Sequence, residues 1–287
     1  MSKPTIIITG ANGFLGKCLL DNFLLLGWNI KAFVHNFPEE KENGVDYIQY
    51  SMEGGIEESY FDNVDYLIHS AYLRFEKDKR ADEINFKGTK ELVSICNKKN
   101  IKMVFLSSFS AHKGAVSHYG TTKLRCEELF DLDKDVVLKI GFVIGDKGIL
   151  AEMINRMKTS SVFPLVGGGK QPLQSVYIQD LCNVVESVLV KELSGTFMIA
   201  HNEVISMRVF YKELAQRLNR KLTFIPISIS LLYLACRFFE GLRIKIPVSS
   251  ESVLGLKKLT TFETLEDQNI IGIQLKSYQE SLDLILE

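Results

Sequence analysis

Short apolar runs alternate with amphipathic stretches along the first two hundred residues. The run "PTIIITG" is short, β-branched and bounded by turn residues, as is typical of a fully buried strand. The next stretch, "FLGKCLLDNFLLLG", has apolar residues at helical spacing and stops at Gly27, a favourable residue for a helix end. Further strands are predicted at "NIKAFVHN", "VDYIQYS", "VDYLIHSA", "KMVFLSS", "VVLKIGFVIG" and "GTFMIAH", and helices at "EINFKGTKELVSICNKKN" and from about Tyr119.

This alternation predicts an α/β fold with a doubly wound parallel sheet. Parallel strands need right-handed crossovers, which place helices on both faces of the sheet. The chain shows no repeat of roughly 20 to 50 residues that would indicate a solenoid. From about Asn202 the pattern is mainly helical, at "SMRVFYKELAQRLN" and "KSYQESLDLILE". We therefore assign residues 1–200 to the sheet domain and 201–287 to a smaller C-terminal lobe.

Composition excludes several classes of protein. A hydrophobic content of 46% and a net charge of −1 describe an ordinary globular protein, not a dedicated nucleic-acid binder with a basic face. The cysteines form no CxxC pair, and the N-terminus lacks a signal-peptide pattern, so we expect reduced thiols in a cytoplasmic protein. Neither the cysteines nor the histidines have metal-ligand spacing, and we predict no metal site. The residues concerned are Cys18, Cys96, Cys126, Cys182, Cys236, His69, His112, His118 and His201.

The longest apolar stretch is "FIPISISLLYLACRFF", residues 224–239. It is interrupted by Pro226, two serines and Arg237, and it is shorter than the roughly 20 residues of a transmembrane helix. We interpret it as a buried helix from about Ser228 to Glu240. A helix on a membrane surface or against a partner subunit is the alternative.

A glycine-rich turn joins the first strand to the first helix. In "TGANGFLG", Gly10, Gly13 and Gly16 allow a tight turn and let a pyrophosphate approach the backbone closely. The following helix offers unpaired N–H groups and the positive end of its dipole to an anion. The spacing differs from the G-x-G-x-x-G fingerprint, so the position between strand and helix carries the prediction of a phosphate-binding loop.

A second constellation lies in "FLSSFSAHKGAVSHYGTTK", residues 105–123. Tyr119 and Lys123 are four residues apart, which places them on one face of a helix. A phenol with an ordinary pKa near 10 is a poor base until a nearby cation favours its charged form, and Lys123 can supply that cation. A serine hydroxyl could hold the substrate oxygen.

Together these segments resemble the extended short-chain dehydrogenase/reductases, the NAD-dependent epimerase/dehydratase family. The segments "TGANGFLG", "VDYLIHSA", "INFKGTKEL", "VFLSSFSA", "YGTTK" and "VVLKIGFVIG" occur in the family's order over about residues 4–200. The resemblance implies a Rossmann sheet that binds NAD or NADP, and a C-terminal lobe that binds substrate, with part of the substrate site near residues 146–175. It implies that Tyr119 is the catalytic acid/base, that Lys123 also holds the nicotinamide ribose, and that Ser108 is the catalytic serine, with Ser107 or Ser110 as alternatives.

The resemblance also implies a set of cofactor-binding residues. The second strand ends in Val34, His35 and Asn36 without a carboxylate for the ribose hydroxyls, and Lys17 follows the last glycine, where it could meet a 2′-phosphate. We therefore favour NADP slightly over NAD, with which His35 is also compatible. The expected cofactor-binding residues are Gly10, Gly13, Phe14, Leu15, Gly16, Lys17, His35, Ser70, Ala71, Tyr119 and Lys123.

The chain departs from the family pattern at several positions. Phe109 and Ser110 stand where sugar dehydratases carry acidic residues, which argues against a 4,6-dehydratase because elimination needs a positioned acid and base. Lys139 and Ile140 replace a common arginine and proline, and Ser51 replaces a common aspartate near the adenine. Asp180 follows a three-glycine turn and a short extended run, and it is a candidate N-cap of the next helix. The alternative, which the resemblance implies, is that this region binds the nucleotide or acyl portion of the substrate.

The sequence therefore predicts an NAD(P)-dependent epimerase or oxidoreductase that acts on a hydroxyl or keto group. The fold-level analogy favours a nucleotide sugar as substrate. A ketoreductase for an apolar, isoprenoid or steroid-like substrate and a non-catalytic dinucleotide-binding subunit are the alternatives. A homodimer is a further expectation, without a nucleic-acid partner or a transmembrane segment.

Overall fold

A computed structural model describes residues 3–75, 78–242, 244 and 248–286 of the chain. The strands of the described part, in chain order, are β1 Thr5–Thr9, β2 Asn29–Val34, β3 Val45–Gln49, β4 Tyr66–His69, β5 Lys102–Ser108, β6 Val136–Ile140, β7 Phe142–Ile144, β8 Val162–Val166, β9 Pro172–Leu173, β10 Ser175–Tyr177, β11 Gly195–Ile199, β12 Ile205–Ser206 and β13 Thr223–Ile227.

The helices of the described part alternate with these strands in the first half and dominate the second. They are α1 Phe14–Leu25, α2 Ala81–Lys98, α3 His118–Glu127, α4 Gly148–Thr159, α5 Ile178–Val190, α6 Met207–Arg217, α7 Ile229–Gly241, α8 Ser250–Lys257, α9 Leu265–Ile271 and α10 Tyr278–Leu286.

Seven strands form one parallel sheet in the order β11-β6-β5-β4-β1-β2-β3. The order reverses between β1 and β4, so the chain winds outwards from the centre in both directions. The predicted doubly wound Rossmann sheet is confirmed. In such a sheet ligands bind beyond the carboxyl ends of the strands at the reversal point, which here faces the loops after β1 and β4.

Successive residues of β1 face opposite layers of helices, because side chains alternate across a strand. Ile6 and Ile8 join the core beneath α1 and α5, whereas Ile7 joins the core beneath α2. All three are fully buried. The central strand therefore has no polar face, and the unbroken isoleucine run of the sequence follows from burial on both sides.

The segment "VVLKIGFVIG", predicted as one strand, is two. At Gly141 the chain leaves β11 and pairs with β10 instead, because the Phe142 amide donates to Gln174 O at 2.8 Å. A Cβ at Gly141 would lie 2.5 Å from that same carbonyl oxygen. The missing side chain therefore permits the change of partner, which periodicity alone does not reveal.

The C-terminal lobe has a core of its own. Ile144, Leu150 and Phe163, from the end of the sheet domain, pack with Phe210 and Leu282 from α6 and α10. Residues before position 200 therefore contribute to the lobe, and they include much of the region 146–175 where we expect part of the substrate site.

Two predictions about the lobe and its junction are wrong. Asp180 does not cap a helix, because α5 begins two residues earlier at Ile178, and its carboxylate instead accepts hydrogen bonds from the Lys276 backbone amide at 2.8 Å and side chain at 2.6 Å. The late apolar helix is not buried either. In α7 only Cys236 is buried, because the helix lies at the edge of the lobe and only one of its faces is covered.

Candidate active site

The glycine loop after β1 is so tightly folded that side chains at Gly10 and Gly16 would clash with neighbouring backbone atoms. Gly10 has a φ of +66°, and a Cβ there would lie 2.9 Å from Ala71 Cα, on the loop after β4. A Cβ at Gly16 would lie 2.2 Å from Gly10 O. Gly13 has an ordinary φ of −73° and is exposed at the crest of the loop. Gly10 and Gly16 therefore shape the loop, while Gly13 keeps its outer surface free of side chains.

The first turn of α1 opens onto the same surface. Gly13 is its N-cap residue and offers no side-chain acceptor, and the turn has no acidic residue. The amides at this helix end thus have no competing side-chain anion, and the helix dipole favours a negative ligand. Phe14 packs against the loop after β7, where a Cβ at Gly145 would lie 2.6 Å from its ring. The prediction that this loop holds the pyrophosphate of a dinucleotide stays a prediction.

A buried hydrogen-bond chain joins the ends of β1 and β4. His69 Nδ1 lies 2.8 Å from Thr9 Oγ1, and His69 Nε2 lies 3.0 Å from Thr89 Oγ1. Thr89 Oγ1 in turn donates to Asn85 O at 2.7 Å. Thr9 Oγ1 also accepts from the Ala71 amide at 3.1 Å. These contacts fix His69 as the neutral Nε2–H tautomer, which accepts from Thr9 and donates to Thr89.

Sequence analysis assigned His69 no role, since an isolated histidine at a strand end has no motif. Burial, reinforced by the charge of Lys123, lowers the pKa of His69 to about 3. The imidazole is therefore a neutral connector that fixes the loop carrying Ser70 and Ala71 against the glycine loop. The expected cofactor residues of these two loops, Gly10 and Ala71 among them, do lie side by side.

Tyr119 lies in the first turn of α3, beyond the end of β5. Ser117 caps this helix by accepting from the Gly120 amide at 3.2 Å. The Tyr119 ring meets Tyr72 edge-on at 5.0 Å. Burial of its hydroxyl end raises the pKa of Tyr119, whereas the hydrogen bond with Ser108 and the charge of Arg74 lower it. The residue as a whole is 40% exposed, so part of its side chain lies at the surface while the hydroxyl end is buried.

Lys123 is buried one turn further along α3. Its Nζ donates to Leu106 O at 2.7 Å and lies 4.4 Å from the centre of the Phe105 ring. Burial lowers the pKa of Lys123 to about 8, against the opposing effects of Cys126 and Glu127. The structure therefore brings Ser108 and Tyr119 into contact, while the Lys123 amine points to the β5 backbone and Arg74 is the cation that acts on the phenol.

A buried ion pair between Lys139 and Glu127 lies next to the carboxyl end of β5. Glu127, one turn after Lys123, accepts from Lys139 Nζ on β6 at 2.8 and 3.0 Å and from Ser107 Oγ. Lys139 also donates to Ala111 O. Ser107 is thereby committed to Glu127, which leaves Ser108 as the serine beside Tyr119. Lys139, which departs from the family pattern, is paired with Glu127. This pairing could not be predicted from the sequence, because the two residues lie on different elements.

The two residues predicted to select the cofactor are His35, which follows β2, and Lys17 on α1. His35 is exposed at this strand end. Lys17, one turn into α1, donates to Asp21 at 2.5 Å and to Glu42 at 2.9 Å. Burial opposes the charge of Lys17, but the two carboxylates raise its pKa overall. The predicted 2′-phosphate ligand is thus already paired with two acidic groups.

The described residues contain neither a metal-binding cluster nor a membrane-spanning helix. Among residues 3–75, 78–242, 244 and 248–286, no group of three or more His, Cys, Asp or Glu side chains is placed to hold a metal ion. In the same part of the chain, no helix is long and apolar enough to cross a membrane.

The sheet order and the loop after its central strand define a Rossmann fold of the dinucleotide-binding type. Residues 6–131, which include the glycine loop, Ser108, Tyr119 and Lys123, match the model of the NAD dependent epimerase/dehydratase family. The resemblance inferred from the sequence is confirmed over this region, which is less than half of the chain. No curated protein sequence matches the chain.

Solved structures share the fold over nearly the whole chain. MoeE5 in complex with UDP-glucuronic acid and NAD is 17% identical, with a TM-score of 0.75 and coverage of 96% of this chain and 95% of that chain. UDP-N-acetylglucosamine 4-epimerase from Methanobrevibacter ruminantium M1 is 14% identical, with a TM-score of 0.76 and coverage of 100% and 97%. The dTDP-4-dehydrorhamnose reductase from Bacillus anthracis in complex with NADP is 20% identical, with a TM-score of 0.73 and coverage of 99% of both chains. At these identities the likeness is one of fold.

Proposed function

We propose that the chain is an NAD(P)-dependent epimerase or oxidoreductase that acts on a hydroxyl or keto group of a nucleotide sugar, with Tyr119 as the acid/base. One observation carries the proposal. β1, β4 and β5 are neighbours in the sheet, so the glycine loop, the Ser70–Ala71 loop and the Ser108–Tyr119 pair lie along one edge. A dinucleotide held by the first two loops would extend towards the third.

The proposed chemistry divides between the cofactor and the chain. Bound NAD or NADP supplies the acceptor or donor of hydride. Ser108 holds the substrate oxygen by a hydrogen bond, and Tyr119 takes up or returns the hydroxyl proton. Arg74 favours the charged form of the phenol. Lys123 would hold the nicotinamide ribose, as the resemblance implies. An epimerase returns the hydride to the opposite face, whereas a reductase releases its oxidised cofactor.

The residues after Ser108 support oxidation and reduction rather than elimination. Phe109 is buried and packs against Phe262 at 4.7 Å between ring centres. Neither Phe109 nor Ser110 can act as the acid or base that a dehydratase needs after its serine. This supports the argument against a 4,6-dehydratase that we made from the sequence.

The proposed substrate class rests on the relatives and on the shape of the lobe. MoeE5 and the methanogen epimerase are named with uridine-containing sugar ligands, and each spans nearly all of this chain. Phe14 also brings the region around residues 145–148 to the glycine loop, so the lobe faces the proposed cofactor.

Both nicotinamide cofactors remain in the proposal. The absence of an acidic residue at the end of β2 favours NADP, as argued from the sequence. The pairing of Lys17 with Asp21 and Glu42 opposes it, since a 2′-phosphate would have to compete with two carboxylates for the same amine. One relative is named with NAD and another with NADP.

Substitution of the tyrosine tests the catalytic part of the proposal. Tyr119→Phe removes one hydroxyl and keeps the ring contact with Tyr72, so we expect cofactor affinity to stay constant while turnover falls by about 10² to 10⁴. NADH and NADPH titration by fluorescence and turnover on UDP-sugars and keto substrates give the two readings. Tyr60→Phe, an exposed tyrosine after β3, is the matched control and should behave as the wild type. Undiminished turnover in folded Tyr119→Phe would refute the assignment.

Two more variants separate cofactor binding from catalysis. Gly13→Val places a β-branched side chain on the outer surface of the loop, and we expect it to abolish dinucleotide binding in a folded protein. Lys123→Ala should lower both turnover and cofactor affinity, because the amine serves ribose and active site together. A Lys123→Ala protein with full affinity would restrict that side chain to a structural contact with Leu106.

A further inference from the structure

Two cysteine thiols are in contact where α1 packs beside α5. Cys18 Sγ and Cys182 Sγ lie 2.7 Å apart, although the two residues are 164 positions apart in the chain. Both are free thiols. A disulfide bond is about 2.0 Å long, so the two sulfur atoms need to approach each other by less than about 1 Å to form one.

Hydrogen bonds on both sides of the thiol pair hold the two helices at this crossing. Asn22, about one turn after Cys18 on α1, accepts from Gln179 Nε2 at 2.9 Å and donates to Glu186 Oε2 at 3.4 Å. Gln179 and Glu186 lie about one turn before and one turn after Cys182 on α5. The sulfur atoms are therefore kept together by contacts that do not involve sulfur.

The two thiols differ in their access to solvent and in their acidity. Cys18 is half-buried, whereas Cys182 is 1% exposed. A hydrogen bond from the Cys182 thiol lowers the pKa of Cys18, against burial and the nearby charges of Asp21 and Asp146. That same hydrogen bond, together with burial, raises the pKa of Cys182. Because the thiolate is the nucleophile, Cys18 is the thiol that reacts first with an oxidant.

The other three cysteines lie in different parts of the molecule. Cys96 and Cys126 belong to the core beneath α2, whereas Cys182 belongs to the core on the opposite face of the sheet. Cys236 is on α7, where its thiol donates to Val248 O at 3.3 Å. These three thiols therefore serve as internal references for oxidation that does not depend on a neighbouring sulfur.

We propose that Cys18 and Cys182 form a reversible disulfide bond when the protein meets a low-molecular-weight disulfide such as oxidised glutathione. The Cys18 thiolate attacks one sulfur of the oxidant, forms a mixed disulfide with it and displaces one glutathione. The Cys182 sulfur then attacks the Cys18 sulfur and displaces the second glutathione. Each glutathione leaves as a thiol with the proton that one cysteine loses, so two protein thiols are oxidised and one glutathione disulfide is reduced.

The bond would tie α1, which begins at the glycine loop, to α5. It would also close a loop between residues 164 positions apart, and such a loop restricts the unfolded chain. Oxidation should therefore stabilise the folded protein. The proposal does not depend on the catalytic assignment.

Peptide mass spectrometry of the folded full-length protein tests the proposal. The protein is treated with oxidised glutathione, its remaining thiols are alkylated in urea without reduction, and it is digested with trypsin. Lysine and arginine residues separate all five cysteines, so each falls in its own peptide. We expect peptides 18–31 and 171–191 to be joined by a disulfide and Cys96, Cys126 and Cys236 to be alkylated. Dithiothreitol should release the two joined peptides.

Two serine variants separate the roles of the thiols. Cys182→Ser removes the second sulfur, so Cys18 should stop at the mixed disulfide with glutathione. Cys236→Ser keeps a donor for Val248 O and is the matched control, which should form the same bond as the wild type. Oxidation should raise the Tm of the wild type and of Cys236→Ser by about 4 °C or more, and should not raise that of Cys182→Ser.

Two results would overturn the proposal. Alkylation of both Cys18 and Cys182 in wild type treated with the oxidant would show that the two thiols do not bond. A lasting glutathione adduct on Cys18 of the wild type would show that the Cys182 sulfur does not reach it. Both results come from the wild type, so they do not require that a variant folds. Circular dichroism before oxidation checks that each protein is folded.

Discussion

α1 and α7 are two mainly apolar helices of similar length with opposite surroundings. α1 has 12 residues and buries Leu19, Leu20 and Phe23 together with Gly16. α7 has 13 residues and buries Cys236 alone. The first follows the central strand and packs on the sheet beside α5, whereas the second lies at the rim of the C-terminal lobe.

Apolar residues at helical spacing therefore indicate a helix, but they do not show what covers it. In α1 the cover comes from strands that pair many residues apart, since β1 has β2 on one side and β4 on the other. In α7 the covering elements reach one face only. The interpretation of α7 as a buried helix was wrong because composition was taken as a measure of burial.

Truncation of one leucine in each helix tests this comparison. It should give the largest difference in the free energy of unfolding. Leu20→Ala removes side-chain atoms from a fully buried position and should lower the free energy of unfolding by about 2 to 5 kcal/mol. Leu234→Ala removes the same atoms from an exposed position and should change it by less than about 0.5 kcal/mol. Urea unfolding of both variants gives the two values. Equal losses would mean that α7 is covered in solution by another surface.

Acid should act first on the sheet domain, through His69. Because the pKa of this residue in the folded chain is about 3, the unfolded chain binds a proton at higher pH than the folded chain does. Stability is thus lost as the pH falls below about 6.5, and the histidine alone should account for about 1.5 kcal/mol between pH 6.5 and 5.

The acid effect is measured by comparing how steeply the free energy of unfolding falls with pH in the wild type and in a His69 variant. His69→Gln retains one donor and one acceptor but cannot take up the proton, so its stability should fall less steeply over that pH range. Urea unfolding at pH 6.5, 6.0, 5.5 and 5.0 gives both curves. Parallel curves for wild type and variant would contradict the buried neutral imidazole.

The smallest expected effect concerns the charges near the start of α1. Glu42→Gln removes one of the two carboxylates that hold Lys17, so that a 2′-phosphate competes with Asp21 alone for the amine. NADPH affinity should then rise about twofold to fivefold, the range of a partly exposed ion pair, with NADH affinity unchanged. Isothermal titration with both cofactors measures the ratio. An equal change for both would show that Lys17 lies away from the 2′ position.

The sequence was sufficient where local structure depends on residues close together in the chain. The glycine loop and the Tyr119–Lys123 spacing could be identified because a turn and a helix fix such neighbours locally. His69 could not, since its partners Thr9 and Thr89 come from two other elements. The same holds for Lys139 and Glu127, whose pairing across β6 and α3 depends on the assembled sheet.

The position of β11 has a consequence for the order in which the chain folds. This strand, Gly195–Ile199, forms one edge of the sheet and covers β6, all of whose residues are buried in the complete protein. During synthesis β6 emerges well before its neighbour, with an unpaired strand edge of the sequence VVLKI. Unpaired apolar edges recruit other strands. A fragment that ends at residue 190 should therefore aggregate, and one extended through β11 should stay dispersed at the same concentration.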